Sequence, residues 1–246
     1  MTQEEQIIIN NLFEFWTYIG GQTGTLTDAG HYRVVKPEAS DWPGRVFNIN
    51  TAVADKKALA DEITAEIIQQ KFPNNITFTG SDAVLFEEHL DGFAPRIRQK
   101  GMLIRLPGYN KVQESSGLKI APAQDAAVFA AVASQSFKYL VDPRMVEGCM
   151  KDERKVKLFT GTENGTPCSC GMIFYDSAGI AGLHMIGTIP SHGGKGIATA
   201  MTVRLLEECI SSGKTVCVLH ASKAGEKIYD RLGFTGASEV ITYSRM

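Results

Sequence analysis

The sequence of 246 residues predicts a mixed α/β fold in two parts, an N-terminal α/β domain over residues 1–110 and a second domain over residues 117–246. Short apolar runs, typical of strands, alternate with segments whose apolar residues recur every three or four positions, as in amphipathic helices. The polar stretch 107–117, PGYNKVQESSG, has turn residues at both ends and separates two such series. In the second series, a glycine-rich turn over 187–198 joins a predicted strand to a predicted helix.

In the N-terminal part, apolar spacing and turn residues predict three helices and four strands. The helices are expected at 3–19, 82–90 and, between them, 55–70, and the strands at 31–35, 46–49, 76–78 and 102–106. The basic run 96–100 is expected to be a solvated surface. The aromatic residues of this part either line an acceptor pocket that faces the second domain or form an ordinary core; they are Trp16, Tyr18, Tyr32, Trp42 and Phe47.

The second part is expected to contain six strands and four helices. The predicted strands are 118–121, 155–160, 168–175, 180–189, 215–220 and 240–244. The predicted helices are 123–139, 142–150, 197–211 and 225–232. Turn residues at Asn164-Gly165 and at 177–179 each join two of the middle strands, which indicates antiparallel hairpins.

Composition and charge describe an ordinary globular protein and exclude some partners. The sequence is 43% hydrophobic and 21% charged, and its formal net charge is -2. Without a basic surplus, nucleic acid is not expected as a partner. No run of 18 apolar residues is present, so no membrane partner is expected either. The start, MTQEEQIII, lacks the features of a signal peptide, and a cytoplasmic location is expected.

The cysteines do not predict a disulfide framework or a metal site. They number five and are Cys149, Cys168, Cys170, Cys209 and Cys217. Cys168 and Cys170 form a C-x-C pair, but no other cysteine or histidine lies nearby at a spacing that would complete a metal site. Ordinary thiols in a reducing compartment are the expectation.

The glycine-rich turn, GTIPSHGGKGIA over 187–198, predicts a site for a phosphate or pyrophosphate. Glycines let successive backbone N–H groups point into one concavity, and the following helix places its positive end there. The helix is supported by Ile197, Met201, Leu205 and Cys209, which recur at i+4. Neither the P-loop pattern nor the dinucleotide fingerprint G-x-G-x-x-G is present. A plain tight connection remains the alternative.

This stretch resembles the acetyl-CoA pyrophosphate loop of the GNAT (GCN5-related N-acetyltransferase) superfamily. The family pattern is Arg or Gln, two residues, Gly, one residue, then Gly or Ala, and here Gly193, Gly196 and Ala198 occupy those positions. The preceding 188–190, Thr-Ile-Pro, resembles the usual strand end Val-x-Pro. Gly193 departs from the pattern, and Lys195 is the residue expected to supply the positive charge.

The stretch 219–234 resembles the second cofactor motif of the same family, which ends in Tyr-x-x-Leu-Gly-Phe. The resemblance makes Tyr229 the general acid that protonates the leaving thiolate, and Ser222 a ligand of the cofactor arm. It also implies a splayed opening between the strands that end near Thr188 and His220. The N-terminal part would then be a degenerate copy of the same fold, as in two-domain relatives.

The resemblance implies an N-acetyltransferase that moves an acetyl group from acetyl-CoA, a co-substrate, to a primary amine by direct attack. A homodimer through sheet edges is compatible with this fold. No metal is expected. The implied cofactor-binding residues are Ile186, Gly187, Thr188, Gly193, Gly194, Lys195, Gly196, Ile197, Ala198, Thr199, Ser222 and Gly225.

The general base is less well specified. Many relatives carry a Glu on the strand before the loop, but Gly182 stands at that position here. His184 lies two residues on, hence on the same strand face, and is the candidate base; a structural histidine packed under the cofactor is the alternative. His220 is a second candidate. Gly193 and the missing Glu leave a non-catalytic acyl-CoA-binding or regulatory module as the rival function, and a longer acyl-CoA remains open.

Overall fold

The computed structural model describes residues 1–109 and 117–246. Within this part of the chain, eleven strands form one sheet. The strands are β1 (Leu26–Asp28), β2 (Arg33–Val35), β3 (Arg45–Phe47), β4 (Asn75–Thr79), β5 (Phe93–Arg105), β6 (Lys119–Pro122), β7 (Val156–Glu163), β8 (Thr166–Tyr175), β9 (Ala181–Thr188), β10 (Val216–Ala221) and β11 (Thr235–Arg245).

Helices cover both faces of the sheet, and several begin at capping residues that the sequence supplies. They are α1 (Gln3–Thr23), α2 (Lys56–Ile68), α3 (Gly80–Phe86), α4 (Ala126–Phe137), α5 (Pro143–Met150), α6 (Ile197–Ser211) and α7 (Glu226–Arg231). Thr2 and Glu5 form a capping box at the start of α1. Gly24, in the left-handed region at φ 68°, ends it.

The sheet order is β1-β2-β3-β4-β11-β5-β10-β9-β8-β7-β6, so the two halves of the chain exchange their last strands. β5, the last strand of the first half, pairs antiparallel with β10 of the second half. β11, the last strand of the second half, pairs antiparallel with β4 of the first. β5 and β11 pair with each other at the centre. The halves therefore share one continuous sheet.

The first half repeats the order of the second. In the second half, three antiparallel strands (β7, β8, β9) lead through α6 to β10, which is parallel to β9, and then through α7 to β11. In the first half, β1, β2 and β3 are antiparallel and lead through α2 to β4, parallel to β3, and then through α3 to β5. The mixed α/β fold with a degenerate N-terminal copy, expected from the sequence, is confirmed.

Most predicted elements are present, with differences at the N-terminal strands. β1 was not predicted, because its three residues are too few to show a period. β5 is 13 residues long and includes the basic run 96–100, in which Arg96 and Arg98 are exposed as expected and Lys100 is partly exposed. The segment predicted to separate the domains lies largely in 110–116, outside the described residues.

Helix α1 packs against strands of both halves and joins them. Its buried residues Phe15 and Trp16 belong to a core cluster that also contains Phe47 from β3, Phe129 from α4 and Phe174 from β8. Two further clusters fill the space under α6 and α7 and under α2 and α3. Because α1 completes the core of the second half, the first half takes part in building the site described next.

Candidate active site

Strands β9 and β10 separate beyond the middle of β9 and leave an opening. Their parallel pairing joins 181–183 to 217–219 and stops at Leu183. Beyond this point β9 contains a bulge, shown by a register shift against β8 and by Met185, which has φ 52°. The later residues of β9 remain paired with β8 on their other edge, as in the pair formed by Thr188 and Ser169. One edge of residues 184–188 therefore faces the opening with no strand partner among the described residues.

This free edge includes Ile186 and Thr188, two of the cofactor-binding residues that the family resemblance implies, and an extended ligand arm could pair with it as an added strand. A side chain does not fit at Gly187, because its Cβ would lie only 2.8 Å from Cβ of Ser136 on α4. The hydroxyl Oγ1 of Thr188 is shielded from solvent and has no hydrogen-bond partner among the described residues. Buried polar atoms are normally paired, so this hydroxyl is available to a ligand.

The glycine-rich turn forms an anion-binding cradle at the end of the opening. A 3-10 turn over Pro190–His192 follows β9, and Gly194 and Gly196 then adopt φ 78° and 77°, a region that favours glycine. Helix α6 begins at Ile197, and no side chain caps it. The first backbone N–H groups of a helix have no partner within the helix, so those of Ile197, Ala198 and Thr199 face outward. Phosphate is a suitable ligand for such a helix start.

Lys195 is not a free cation in this turn. Its Nζ lies 2.7 Å from Oε2 of Glu163 at the end of β7, and Nε2 of His192 lies 3.4 Å from the same oxygen. The hydrogen bond from Lys195 lowers the pKa of the Glu163 carboxyl, so this group is ionised at neutral pH. An incoming phosphate therefore competes with a carboxylate for Lys195.

Tyr229 faces the same region from α7. Ser222 and Gly225 form the turn before this helix, in which Gly225 N donates to Ser222 O at 2.9 Å. The Tyr229 ring is buried in the same cluster that includes Ile186 of β9, and it contacts Phe234 at 5.9 Å between ring centroids. Burial raises the pKa of Tyr229 to about 12, so its hydroxyl is protonated at neutral pH. Tyr229 and Ile186, which the sequence predicts in one site, thus belong to the same hydrophobic cluster.

His184 is enclosed by residues of α1. Its ring stacks on Phe15 with 3.9 Å between centroids, and its Nε2 lies 3.3 Å from Oδ1 of Asn11. Since an amide oxygen only accepts, Nε2 carries the proton. Burial, with a smaller effect from the nearby His220, lowers the pKa of His184 to about 3. These surroundings favour the structural alternative, because so weak a base takes few protons at neutral pH.

Asn11 occupies the space beside Gly182, the position at which the sequence resemblance leads us to expect a glutamate. A Cβ at Gly182 would lie 1.9 Å from Asn11 Oδ1, so no side chain fits at this position. Asn11 is fully buried, and its Nδ2 donates to Oδ2 of Asp176 at 2.9 Å. Asp176 in turn accepts from Ile180 N at 2.8 Å. The network ties α1 to the hairpin between β8 and β9.

His220 lies at the end of β10, across the opening from His184. Both of its ring nitrogens are shielded from solvent and have no hydrogen-bond partner among the described residues. Burial, with a smaller effect from the charge of Arg45, lowers its pKa to about 3. Arg45 comes from β3 of the first half, and its Cζ lies 4.0 Å from the centroid of the Trp16 ring. The predicted aromatic residue Trp16 thus lies within reach of the opening.

Asn11 and Arg45 were not identified from the sequence, because they come from elements distant along the chain. A buried asparagine within an apolar helical face and an arginine beginning a short strand between Gly44 and Val46 were the available signals. The corresponding loop of the first half, 48–55, contains no glycine. There the carboxylate of Asp55 accepts from Ala58 N at 2.8 Å and caps α2. A carboxylate at this helix start opposes phosphate binding, so this copy lacks an equivalent cradle.

The cysteine thiols are buried in the core, and that of Cys170 lies 3.2 Å from the carbonyl oxygen of Met185 at the bulge of β9. All five are reduced and buried. Burial raises the pKa of Cys149 and of Cys170 to about 12, which keeps both as neutral thiols.

None of the described helices is long and apolar enough to cross a membrane.

Comparison with known proteins identifies the second half. Residues 119–237 match the family model described as an acetyltransferase (GNAT) domain. This range begins with β6 and includes the opening, the glycine-rich turn, α7 and Tyr229. No curated protein matches the chain in sequence.

Solved structures share the fold of the whole chain. A GCN5-related N-acetyltransferase from Kribbella flavida has a TM-score of 0.70 at 15% identity, covering 100% of this chain and 96% of its own. A GNAT-family protein from Novosphingobium aromaticivorans has a TM-score of 0.58 at 12% identity, covering 95% and 97%. A tandem GNAT protein from clavulanic acid biosynthesis has a TM-score of 0.55 at 10% identity, covering 95% and 94%. At these identities the likeness concerns the fold alone.

Proposed function

Because residues 119–237 match the family model of a GNAT acetyltransferase domain, we propose that the protein transfers an acetyl group from acetyl-CoA to a primary amine. The observation that carries the proposal is the opening between β9 and β10, which leads directly to the uncapped start of α6. A free strand edge and a helix N-terminus in this order suit a long amide arm that ends in a pyrophosphate.

The residues around the opening fit acetyl-CoA. The free edge of β9 at Ile186 and Thr188 would hold the pantetheine arm, with the unpaired Thr188 hydroxyl as an additional partner. The turn from Gly193 to Gly196 and the first N–H groups of α6 would hold the pyrophosphate. Gly193 lacks the side-chain cation of the family pattern, and Lys195, paired with Glu163, replaces it incompletely. We therefore expect binding with moderate affinity.

In the proposed reaction, the amine nitrogen attacks the thioester carbonyl carbon, and the carbon–sulfur bond breaks. The ammonium form of the acceptor must first lose a proton to water, and after the attack its nitrogen loses a second proton while the leaving thiolate gains one, so that the products are the amide and the thiol of CoA. Tyr229 would donate a hydrogen bond to the developing thiolate, because its raised pKa keeps the hydroxyl protonated. Backbone N–H groups near Thr188 would polarise the carbonyl. Holding the amine and the thioester close together and correctly oriented would supply the remaining rate acceleration.

We assign the removal of the ammonium proton to water in the opening rather than to His184. With a pKa of about 3 and its Nε2 hydrogen bonded to Asn11, His184 is a poor proton acceptor. A partly exposed site without a strong base works best when the amine itself has a lowered pKa or the pH is alkaline. A rate that rises with pH above neutrality would support this assignment.

The first test is calorimetric titration with acetyl-CoA and with CoA, followed by a thiol-release screen over many amines. Tyr229→Phe is expected to bind acetyl-CoA normally and to lower kcat by about 10- to 100-fold, since one hydrogen bond to the leaving group is lost. Tyr175→Phe is the matched control. Its ring lies in the same core cluster, but its hydroxyl lies 3.2 Å from Oγ of Ser212, the C-cap residue of α6, away from the cradle at the start of this helix.

The rival is a non-catalytic acyl-CoA-binding module, which Gly193 and the absence of a carboxylate at Gly182 favour. Binding of acetyl-CoA without acetylation of any amine would support the rival. Failure of the folded protein to bind acetyl-CoA would exclude both. Comparing the dissociation constants of acetyl-CoA and of longer acyl-CoAs shows which acyl chain length the protein prefers.

A further inference from the structure

The guanidinium of Arg45 is partly buried without an acidic partner. It stands over the Trp16 ring, and its Nε donates to Pro43 O at 3.0 Å. Across residues 1–109 and 117–246, no carboxylate forms an ion pair with it. Burial lowers its pKa to about 10, so the group remains charged at neutral pH. A desolvated charge that lacks a counter-charge is costly, which indicates that a ligand supplies one.

Other arginines nearby show the usual arrangement. Arg33, on the neighbouring strand β2, lies on the same face of the sheet as Arg45, because it pairs with Phe47 in the antiparallel register. Its Nε lies 3.0 Å from Oδ2 of Asp28. Arg98 and Glu239 form another such pair at 3.2 Å. Arg45 therefore differs from Arg33 and Arg98 because it has no carboxylate partner among the described residues.

Arg45 lies on the side of the opening that the first half supplies. Its positive charge contributes to the lowered pKa of His220 on β10 and opposes the rise in the pKa of Tyr139. The Tyr139 hydroxyl is 3.8 Å from Sδ of Met185, the residue at the bulge of β9. The guanidinium thus lies against Trp16 of α1 and close enough to His220 and Tyr139 to affect their pKa values, on the side of the opening where an acceptor would meet the thioester.

We infer that the acceptor amine also carries an anionic group, a carboxylate or a phosphate, which pairs with the guanidinium of Arg45. The inference rests on the proposed acetyl transfer and specifies its substrate class. An arginine fork binds carboxylates and phosphates through two parallel hydrogen bonds. The rings of Trp16 and Tyr139 exclude water beside it, which strengthens the pairing. The shielded ring nitrogens of His220 offer a further partner for the same acceptor.

The test compares acceptors that carry an anionic group with neutral analogues, and the readout is how the preference between them changes when Arg45 is replaced. Acetylation of L-phenylalanine is measured against L-phenylalaninamide, and acetylation of phosphoethanolamine against ethanolamine, in wild type, Arg45→Met, Arg45→Lys and Arg33→Met. We expect wild type to prefer one anionic member by about 100-fold in kcat/KM, mainly through KM. Arg45→Met is expected to abolish this preference, Arg45→Lys to keep part of it, and Arg33→Met to leave it unchanged. The favoured pair distinguishes carboxylate from phosphate.

Binding without turnover provides a second readout. The protein is titrated with N-acetyl-L-phenylalanine and its amide, and with N-acetyl-phosphoethanolamine and N-acetylethanolamine, with and without CoA. Tighter binding of an anionic member that Arg45→Met abolishes supports the inference even if no amine is turned over. Equal binding of both members of each pair overturns it, as does an enzyme that prefers neutral amines. A loss of CoA affinity in Arg45→Met would assign the guanidinium to the cofactor and also overturns it.

Failure of the proposed function has a different signature. A protein that binds no acetyl-CoA refutes acetyl transfer, whereas a protein that binds acetyl-CoA and acetylates amines without regard to charge refutes only the role of Arg45. Thermal unfolding of Arg45→Met and Arg33→Met is measured in parallel. If Arg45→Met lowers kcat/KM equally for anionic and neutral acceptors, the side chain is structural and the inference fails.

Discussion

Replacing Gly182 by alanine tests whether α1 closes the position at which the family carries a glutamate. A Cβ there would lie 1.9 Å from Asn11 Oδ1 and 2.5 Å from His184 Nε2. Both distances are far below van der Waals contact, so Asn11 must move. Asn11 has no free space, because it is fully buried and bonded to Asp176. The substitution therefore breaks a polar network as well as overfilling the core.

The two costs can be estimated separately. Overpacking a close-packed core costs about 1–3 kcal/mol, and leaving buried polar atoms unpaired costs about 1–3 kcal/mol. We therefore expect Gly182→Ala to lower the free energy of unfolding by about 2–6 kcal/mol, a large part of a typical domain's stability of about 5–15 kcal/mol. Asn11→Ala alone, which removes one hydrogen-bonding side chain, is expected to cost about 2 kcal/mol.

Urea denaturation followed by circular dichroism measures these values. In the double variant the space vacated by Asn11 accepts the new methyl group, so its cost is expected to fall short of the sum by about 1–2 kcal/mol. Gly21→Ala is the matched control. It adds the same methyl group inside α1, with nothing within 4 Å, and is expected to leave stability unchanged or higher. Strict additivity, or a Gly182→Ala protein within about 0.5 kcal/mol of wild type, would refute the reasoning.

Three further outcomes are expected. Gly196→Ala, at φ 77°, strains the cradle by about 1–2 kcal/mol and should weaken acetyl-CoA binding about 10-fold in calorimetry, and an unchanged affinity would count against the cradle. Glu163→Gln removes the carboxylate paired with Lys195 and should tighten binding about 3-fold at low salt and less at high salt, whereas weaker binding would contradict the competition. His184 and His220 are neutral in the folded state, with pKa values of about 3, and bind protons below about pH 6.5 when unfolded, so stability is lost as pH falls from 6.5 towards 3. At pH 5 each histidine lowers the free energy of unfolding by about 2 kcal/mol relative to its value above pH 6.5. If His184→Gln shows the same pH dependence of the unfolding midpoint as wild type, His184 does not make this contribution.

The local part of the site could be predicted from the sequence. The helix at Ile197–Ser211 was predicted with the observed bounds, because its apolar period and its flanking glycines are all local signals. The cradle depends on Gly194 and Gly196, whose positive φ values few other residues adopt. The fold and the family followed from these motifs. The roles of Tyr229 and of the cradle residues in binding and catalysis remain predictions that the experiments above test.

The contribution of the first half could not be predicted in this way. β5 and β11 lie 130 residues or more apart in paired positions such as Leu103 and Thr235, and no local pattern specifies such a partner. Propensity indicates that a segment is a strand, whereas pairing depends on which edge is free after the rest has folded. The sequence predicts two domains with a boundary near 107–117, and it gives no sign of the exchange of strands that joins both halves in one sheet.

The sequence by itself determined the α/β class, the glycine cradle and the family of the second half, because each depends on residues close together in the chain. Only the tertiary structure decided the environment of those residues. His184 was a plausible base from its place on a strand, but burial between Phe15 and Asn11 lowers its pKa to about 3. Arg45 became a candidate binding residue only because the structure places its guanidinium over Trp16 of α1, beside the opening and without a carboxylate partner among the described residues. Solvation and charge balance depend on all neighbours in space, and the chain brings these neighbours from both of its halves.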